Sequence, residues 1–341
     1  MNLKQLAKKL DLSQTTVSRA LNDYPEVSEA TRARVKAGAQ KHGYSPNIAA
    51  RNLAMGHAMA IGHVIPVSTQ YEIMNPIFSD LIAGASSVYA EHGYELVLSI
   101  VDNAEEEEVY RKLKARQSVA GVVLHSPEMS DNRIEFLTNL KLPFAVHGRV
   151  SDHTAPYCWV DVNNRSAFRR ATELLLDLGH RRIGLINGIE TKDFAFRRRQ
   201  GYEDALAARD VAVDPAIMHS GLMTEEEGYK AVVEMLALPT PPTAFLLSSM
   251  VSAFGAKRGI EESGLVLGQD ISVVTHDDEL SYLGNSGESP IFTSTLSSVR
   301  EAGRLLAENL IHHINNPSEP LREELLKADL RIGKSTGPAP A

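Results

Sequence analysis

The stretch from Leu10 to Asp23 carries polar side chains that could bind DNA bases. The helix predicted over about 14 to 22 has Val17 and Leu21, four residues apart, as its core face, and its other face displays Gln14, Thr15, Ser18, Arg19 and Asn22. Glutamine and arginine can form paired hydrogen bonds with base edges, threonine offers a methyl group and a hydroxyl, and serine and asparagine bind phosphate. This face suits the major groove of DNA; the alternative is an ordinary surface helix of a small bundle.

Two further helices would hold that face in place. Apolar residues recur at helical spacing over Leu3 to Leu10, Asp11 tolerates a left-handed turn, and Ser13 is a suitable N-cap for the polar helix. Ser28 is the N-cap of a third predicted helix, which ends just before a glycine. Residues 1–44 are therefore predicted to form a helix-turn-helix domain.

The charge of the chain is divided unevenly. The first 56 residues hold nine lysines and arginines against four acids and carry +5, whereas the whole chain carries −8, so the remainder carries −13. A basic head on an acidic body suits a nucleic-acid-binding module joined to another domain, because phosphate repels an acidic protein except where cations are concentrated. Chance asymmetry is the alternative.

Length and composition restrict the class of protein. A chain of 341 residues, 43% hydrophobic, can bury the cores of two or three domains. Its single cysteine, Cys158, excludes an intramolecular disulfide framework, and the N-terminus lacks a secretory signal. Since no apolar run approaches the roughly 18 residues of a spanning helix, we expect a cytoplasmic protein.

Beyond residue 57, apolar runs alternate with amphipathic helices. This βα rhythm predicts an α/β fold in which parallel sheets are covered by helices on both faces. Two such sheets in series predict two lobes, with a ligand in the cleft at the C-terminal ends of the strands. We expect an effector-binding and dimerisation domain over 58–341, with lobes of roughly 58–157 plus 291–315, and 158–290 plus 316–335.

Several motifs, in their order and spacing, resemble the lactose/galactose-repressor family of bacterial transcription regulators. They are LSQTTVSRALN, VSEATRARV, HGYSPNIAARNLA, NPIF, LGHRRIGLING, RRRQGY, EEGYKAV, ISVV followed by DD, and TSTLSSVREAG. The resemblance covers essentially the whole chain and implies a homodimer with a periplasmic-binding-protein-like body. It also implies a hinge helix within 45–57, and a helix this short should fold only conditionally. The run THDDELSYLGN looks most like the branch tied to α-glucosides and α-galactosides, the raffinose regulators included.

The resemblance implies roles for residues of the head and the hinge. Gln14, Thr15 and Arg19 would contact bases in the major groove, while Ser18, Asn22 and Ser28 would hold phosphates. In the hinge, Asn47 would be the cap, Ala50 a minor-groove contact and Leu53 the wedge that kinks the DNA, although Leu53 could instead pack against the body.

The resemblance likewise implies an effector site at Phe78, Arg198, Met223 and Asp277. An arginine and a carboxylate that face each other across a cleft can bind adjacent hydroxyls of a polyol. The chain departs from the family where Ser249 and Met250 replace an Asn-Asp pair, and where Thr275 and His276 precede the DD motif. Ser249, Met250, His276 and Tyr282 are further cleft candidates, with a structural histidine as the alternative for His276.

The expected function is a repressor of sugar catabolism or transport genes, released from a palindromic operator by a small sugar. A solute-binding protein or a sugar-sensing activator of the same fold is the alternative. We expect no enzyme, cofactor or metal site, because the hydrolase and zinc motifs are missing, and GKST near the C-terminus lacks the first glycine of a phosphate loop. The tail after Arg331 lacks leucine heptads, so we expect no tetramer.

Overall fold

The computed structural model describes residues 1–21, 24–44, 58–66, 76–102, 105–285 and 289–340. The chain forms two compact units, Met1–Met59 and Ala60–Ala341. The predicted hinge helix, with Asn47, Ala50 and Leu53, lies outside the described residues, as does Asn22. The roles expected of these four residues stay predictions.

The first unit contains the three helices that the sequence predicts. They are α1 (Leu3–Leu10), α2 (Gln14–Leu21) and α3 (Glu29–Lys41). Asp11 ends α1 in the left-handed conformation, with φ of 51°. The Oγ atoms of Ser13 and Ser28 accept hydrogen bonds from the backbone N–H groups of Thr16 (3.0 Å) and Thr31 (3.3 Å), so each serine caps the helix that follows it.

The core of the first unit fixes which face of α2 is exposed. Leu6 from α1, Val17 and Ala20 from α2, and Val35 from α3 are buried in one cluster. Because Val17 and Ala20 are three residues apart, they lie on the same side of α2. The opposite side of that helix therefore faces solvent.

The second unit is built on two six-stranded sheets. In spatial order, the first sheet holds β11 (Glu323–Leu326), β5 (Cys158–Val162), β4 (Phe144–His147), β3 (Gly121–His125), β1 (Ala60–Pro66) and β2 (Glu95–Val101). The second holds β12 (Asp329–Arg331), β10 (Thr293–Leu296), β9 (Ser272–Asp277), β8 (Ala244–Leu247), β6 (Ile183–Asn187) and β7 (Met218–Ser220). All neighbours pair in parallel except β10 and β12. The predicted α/β class is confirmed.

Helices connect the parallel strands, as the βα rhythm requires. They are α4 (Pro76–Glu91), α5 (Glu106–Ala115), α6 (Arg133–Leu140), α7 (Asn164–Asp177), α8 (Asp193–Ala207), α9 (Glu225–Leu236), α10 (Met250–Glu262) and α11 (Val299–Asn315). None of the helices in the described ranges is long and apolar enough to cross a membrane.

The structure corrects the expected division into lobes. Within the described residues the chain passes between the sheets three times, after β5, after β10 and after β11. As a result β5 and β11 belong to the first sheet and β10 to the second, each opposite to the expected assignment. The apolar runs predicted strands, but the pairing of β5 with β4 and of β10 with β9 decides the sheet, and that pairing is non-local.

Candidate functional site

The exposed face of α2 carries the predicted base-contacting residues. Gln14, Thr15 and Arg19 are exposed, and Ser18 is half-buried. Ser28, an expected phosphate contact, is exposed while it caps α3. The structure thus brings three side chains with suitable hydrogen-bonding groups to one surface of a short helix.

A cavity of about 90 Å³ lies in the second unit between the two sheets. Four of the predicted effector residues line it: Phe78, Arg198, Met223 and His276. Residues that the sequence did not single out for this site also line it: Ile77, Ser126, Pro127, His147, Gly148, Asp161, Val162, Asn164, Phe194 and Asp278. Most of the cavity wall therefore comes from residues that the family motifs do not mark.

Arg198, on α8, is the cation of the cleft. Its Nε donates to Asn164 Oδ1 at 2.7 Å and its Nη1 to the backbone oxygen of Ser248 at 2.6 Å. The guanidinium lies about 5 Å from the rings of both Phe168 and Phe194. Burial lowers the pKa of Arg198 to about 10, so it stays charged at neutral pH. Among the described residues no carboxylate forms an ion pair with Arg198, which leaves donors for a ligand.

Asp278, and not Asp277, is the aspartate of the DD motif that lines the cavity. Side chains alternate along the end of β9, so His276 and Asp278 share the side that lines the cavity, and Asp277 points away. Asp277 Oδ1 instead accepts from the backbone N–H of Glu279 at 2.8 Å. The structure thus places Asp277 outside the cavity wall, because the family motif does not fix which of two adjacent side chains faces inward.

His276 and Asp278 lie close enough to affect each other. His276 Nε2 is 3.4 Å from Asp278 Oδ1, while His276 Nδ1 lies 2.9 Å from Thr295 Oγ1. Burial on its own would raise the pKa of Asp278, but His276, Arg198 and His147 hold that pKa below its usual range. Burial lowers the pKa of His276. The cleft therefore offers an ionised carboxylate beside a neutral imidazole.

Three of the predicted cleft residues lie elsewhere. Ser249 caps α10 through a hydrogen bond from the backbone N–H of Val251 to its Oγ, at 3.1 Å. Met250 is buried in the core of the second lobe, and Tyr282 is 62% exposed. None of the three lines the cavity. Ser249 and Met250 therefore have local structural roles, as a helix cap and as a core residue.

Asn164 connects the two lobes at the first crossing of the chain. Its Oδ1 accepts from Arg198, and its Nδ2 donates to the backbone oxygen of Val162 at 3.0 Å and lies 3.3 Å from Asp161 Oδ1. Asp161 also pairs with Arg149 Nε at 2.8 Å. No motif marks Asn164 or Asp161 for the site, because the contact of Asn164 with Arg198 joins residues 34 positions apart.

Three loops meet at one side of the cleft, those that follow β3, β4 and β6. Met129 N–H donates to the backbone oxygen of Thr191 (3.2 Å), Asp193 N–H to that of Pro127 (3.0 Å), and Ser151 N–H to Asp193 Oδ2 (2.7 Å). Each of these bonds joins the first lobe to the second. Residues 127, 193 and 151 therefore hold the lobes together beside the cavity.

The residues described offer no group of three or more histidines, cysteines or carboxylates arranged to hold a metal ion. The cleft instead combines guanidinium donors, carboxylate acceptors and aromatic faces. This combination binds hydroxyl groups by hydrogen bonds and covers the apolar face of a ring.

Comparison with known proteins agrees with both units. Residues 2–47 match the model of the bacterial regulatory proteins of the lacI family, and residues 172–336 match the periplasmic binding protein-like domain. A helix-turn-helix head with such a body defines a sequence-specific DNA-binding transcriptional regulator. The HTH-type transcriptional regulator AglR of Rhizobium meliloti (strain 1021) is 45% identical over 340 residues, which are 100% of this chain and 95% of that protein. The chain belongs to the lacI family.

Solved structures show the same architecture. The lac repressor dimer bound to operator and the anti-inducer ONPF is 26% identical with a TM-score of 0.83, and the match covers 99% of each chain. The complex of the transcriptional regulator CelR with cellobiose is 27% identical with a TM-score of 0.72, covering 98% of this chain and 99% of that one. The family and the fold expected from the sequence motifs are confirmed.

Proposed function

We propose that the chain represses genes of sugar catabolism or transport as a cytoplasmic homodimer, and that a small sugar in the cleft releases it from a palindromic operator. One observation carries the proposal: the buried Arg198, which forms no ion pair within the described residues, lines the same cavity as the ionised Asp278. Such a pair donates to one hydroxyl of a sugar and accepts from the next. The cellobiose bound in the CelR complex supports a sugar as the ligand class.

The sugar is proposed to be an α-glucoside or an α-galactoside, on the resemblance of the THDDELSYLGN run. The alternative function is that of an activator that senses the same sugars. The basic head, with its exposed Gln14, Thr15 and Arg19, argues against the function of a solute-binding protein for a transporter, because such a protein does not bind DNA. The relatives named above are regulators, and this supports a protein without catalytic activity.

Release from DNA follows from linkage between the two sites. A sugar that prefers one arrangement of the lobes shifts that equilibrium by its differential affinity, and the same free energy weakens DNA binding. We propose that the hinge segment 45–57, with Asn47, Ala50 and Leu53, transmits the change, because a helix of this length needs its twin or DNA to fold.

A paired screen tests the proposal as a whole. Sugars are added to the full-length protein, and the shift in its thermal unfolding is compared with its release from labelled operator DNA. A sugar that both stabilises the protein and releases the DNA is expected. Stabilisation without release would contradict the repressor mechanism, and the absence of both for all α-glucosides and α-galactosides would contradict the ligand class.

Replacing Arg19 by alanine should reduce discrimination between operator and random DNA. The exposed guanidinium is placed to contact a base edge, and a lost paired contact costs about 10- to 100-fold in specific affinity. Titration of both DNAs at one salt concentration measures this effect. Lys4→Ala, which removes an exposed charge from α1, is the control; an equal loss on both DNAs in Arg19→Ala would refute the base contact.

Replacing Asp278 by asparagine should weaken sugar binding about 10- to 100-fold, because an ionised acceptor is lost from the cleft. Asp277→Asn is the matched control. It removes a carboxylate charge from the adjacent residue but keeps the oxygen that accepts from the backbone N–H of Glu279. Isothermal titration of each variant with the sugar found in the screen gives the comparison. If Asp277→Asn were the weaker binder, the assignment of the carboxylate would be reversed.

A further inference from the structure

Three histidines form a row on one face of the first sheet. His63, His125 and His147 lie on the neighbouring strands β1, β3 and β4. His125 and His147 are register partners, and His63 is the partner of Val123, two residues before His125, so the three side chains share a face. The ring centroids are 5.1 Å apart between His63 and His125 and 6.4 Å apart between His125 and His147. We call these residues the histidine row.

The histidine row holds an excess of unpartnered polar atoms. His63 and His125 are almost completely buried, with 0% and 1% exposure. His63 Nε2 lies 2.8 Å from the hydroxyl of Tyr89, but His63 Nδ1, both nitrogens of His125 and His147 Nδ1 have no hydrogen-bonding partner in the described part of the chain. Buried polar atoms are normally paired, and the described residues leave these four nitrogens available to hydrogen-bond a group that reaches the row.

The histidine row adjoins the sugar cleft. His147 lines the cavity, and so does Phe78, whose ring packs edge-on against His125 at a centroid distance of 5.2 Å. His125 itself does not line the cavity. Phe78 therefore covers His125 on the side of the cleft.

The cavity is too small for a sugar ring as it stands. Its volume of about 90 Å³ is below the roughly 150 Å³ of a cavity that holds benzene, and a hexose has about twice as many non-hydrogen atoms. Walls must therefore move when a sugar binds. Phe78 is the wall residue that has unpaired polar atoms directly behind it.

We propose that the histidine row is an inner subsite of the cleft, which opens when Phe78 moves aside and takes the second ring of a disaccharide. The proposal rests on the sugar effector proposed above and adds that this sugar is a disaccharide. A neutral imidazole offers one donor and one acceptor, which matches a hydroxyl group. A charged group would lose its hydration on entering this buried face. A metal ion does not fit, because the described residues include no suitable ligand group and Tyr89 occupies His63 Nε2.

The test compares matched sugars on the full-length protein. Isothermal titration is carried out with methyl α-D-glucopyranoside against maltose, and with methyl α-D-galactopyranoside against melibiose. The native protein should bind the disaccharide of one pair more tightly than its methyl glycoside. His125→Leu should weaken that disaccharide about 10- to 100-fold and its methyl glycoside less than about threefold, since only the second ring reaches His125.

His92→Leu is the control, because His92 is an exposed histidine of the same lobe. Histidine ring signals in NMR spectra of the native protein give a measurement that needs no variant: those of His125 should move with the disaccharide and not with the methyl glycoside. Equal affinity of the native protein for both members of each pair, an equal loss for both sugars in His125→Leu, or unmoved His125 signals would overturn the subsite alone. Failure of the native protein to bind any of the four sugars would overturn the sugar effector, and the subsite's ligand class with it.

Discussion

Arg198→Ala should lose sugar-induced release from the operator while its affinity for DNA without sugar stays the same. The substitution removes the one cation described in the cavity wall, together with its hydrogen bonds to Asn164 and Ser248. Loss of a charged, buried hydrogen-bonding group lowers ligand affinity about 100-fold or more. Titration of operator complexes with sugar, with and without the substitution, measures the shift in the concentration needed for release.

Arg199→Ala is the matched control for this experiment. Arg199 follows Arg198 directly on α8, is 41% exposed at its side chain, and pairs with Glu190 and Glu203 at the surface. Its loss should leave the release concentration within about twofold of the native value, since exposed ion pairs contribute little. An Arg198→Ala protein that left DNA at the native sugar concentration would refute the proposed role of Arg198.

The head could be predicted from the sequence because its signals are local. The caps Ser13 and Ser28, the turn at Asp11 and the spacing of Val17 from its neighbours all act within one or two turns of helix. The α/β class was predictable for the same reason, since each apolar run and each amphipathic helix is a local pattern. What these patterns do not contain is the partner of each strand, so β5, β10 and β11 were expected in the wrong lobes.

The cleft was predictable only in part, for a related reason. Family motifs identified Arg198 and Phe78, yet whether Asp277 or Asp278 faces inward depends on how the end of β9 is placed. Asn164 and Arg198 are 34 positions apart, and no local sequence pattern predicts their contact. The same holds for the two nitrogens of His125, whose lack of partners among the described residues depends on how the neighbouring strands are placed.

The histidine row should make the first lobe unstable in mild acid. Burial lowers the pKa of His63 to about 3 and of His147 to about 4, and it lowers that of His125 as well. Arg133 adds to the lowering at His125, whereas Asp278 opposes it at His147. In the unfolded chain these histidines have pKa values near 6.5, so between about pH 6.5 and pH 4 the unfolded state binds protons that the folded state does not.

The free energy of unfolding should therefore fall as the pH drops below 6.5. The two fully buried residues, His63 and His125, should each contribute about 2 kcal/mol of loss between pH 7 and pH 5. Trp159, the single tryptophan, lies on β5 against the first-lobe core, so its fluorescence during urea unfolding reports this lobe. His125→Leu should reduce the loss by about 2 kcal/mol, and the exposed His92→Leu should leave it unchanged. If His125→Leu lost as much stability as the native protein over this range, buried neutral histidines would not be the cause of acid sensitivity.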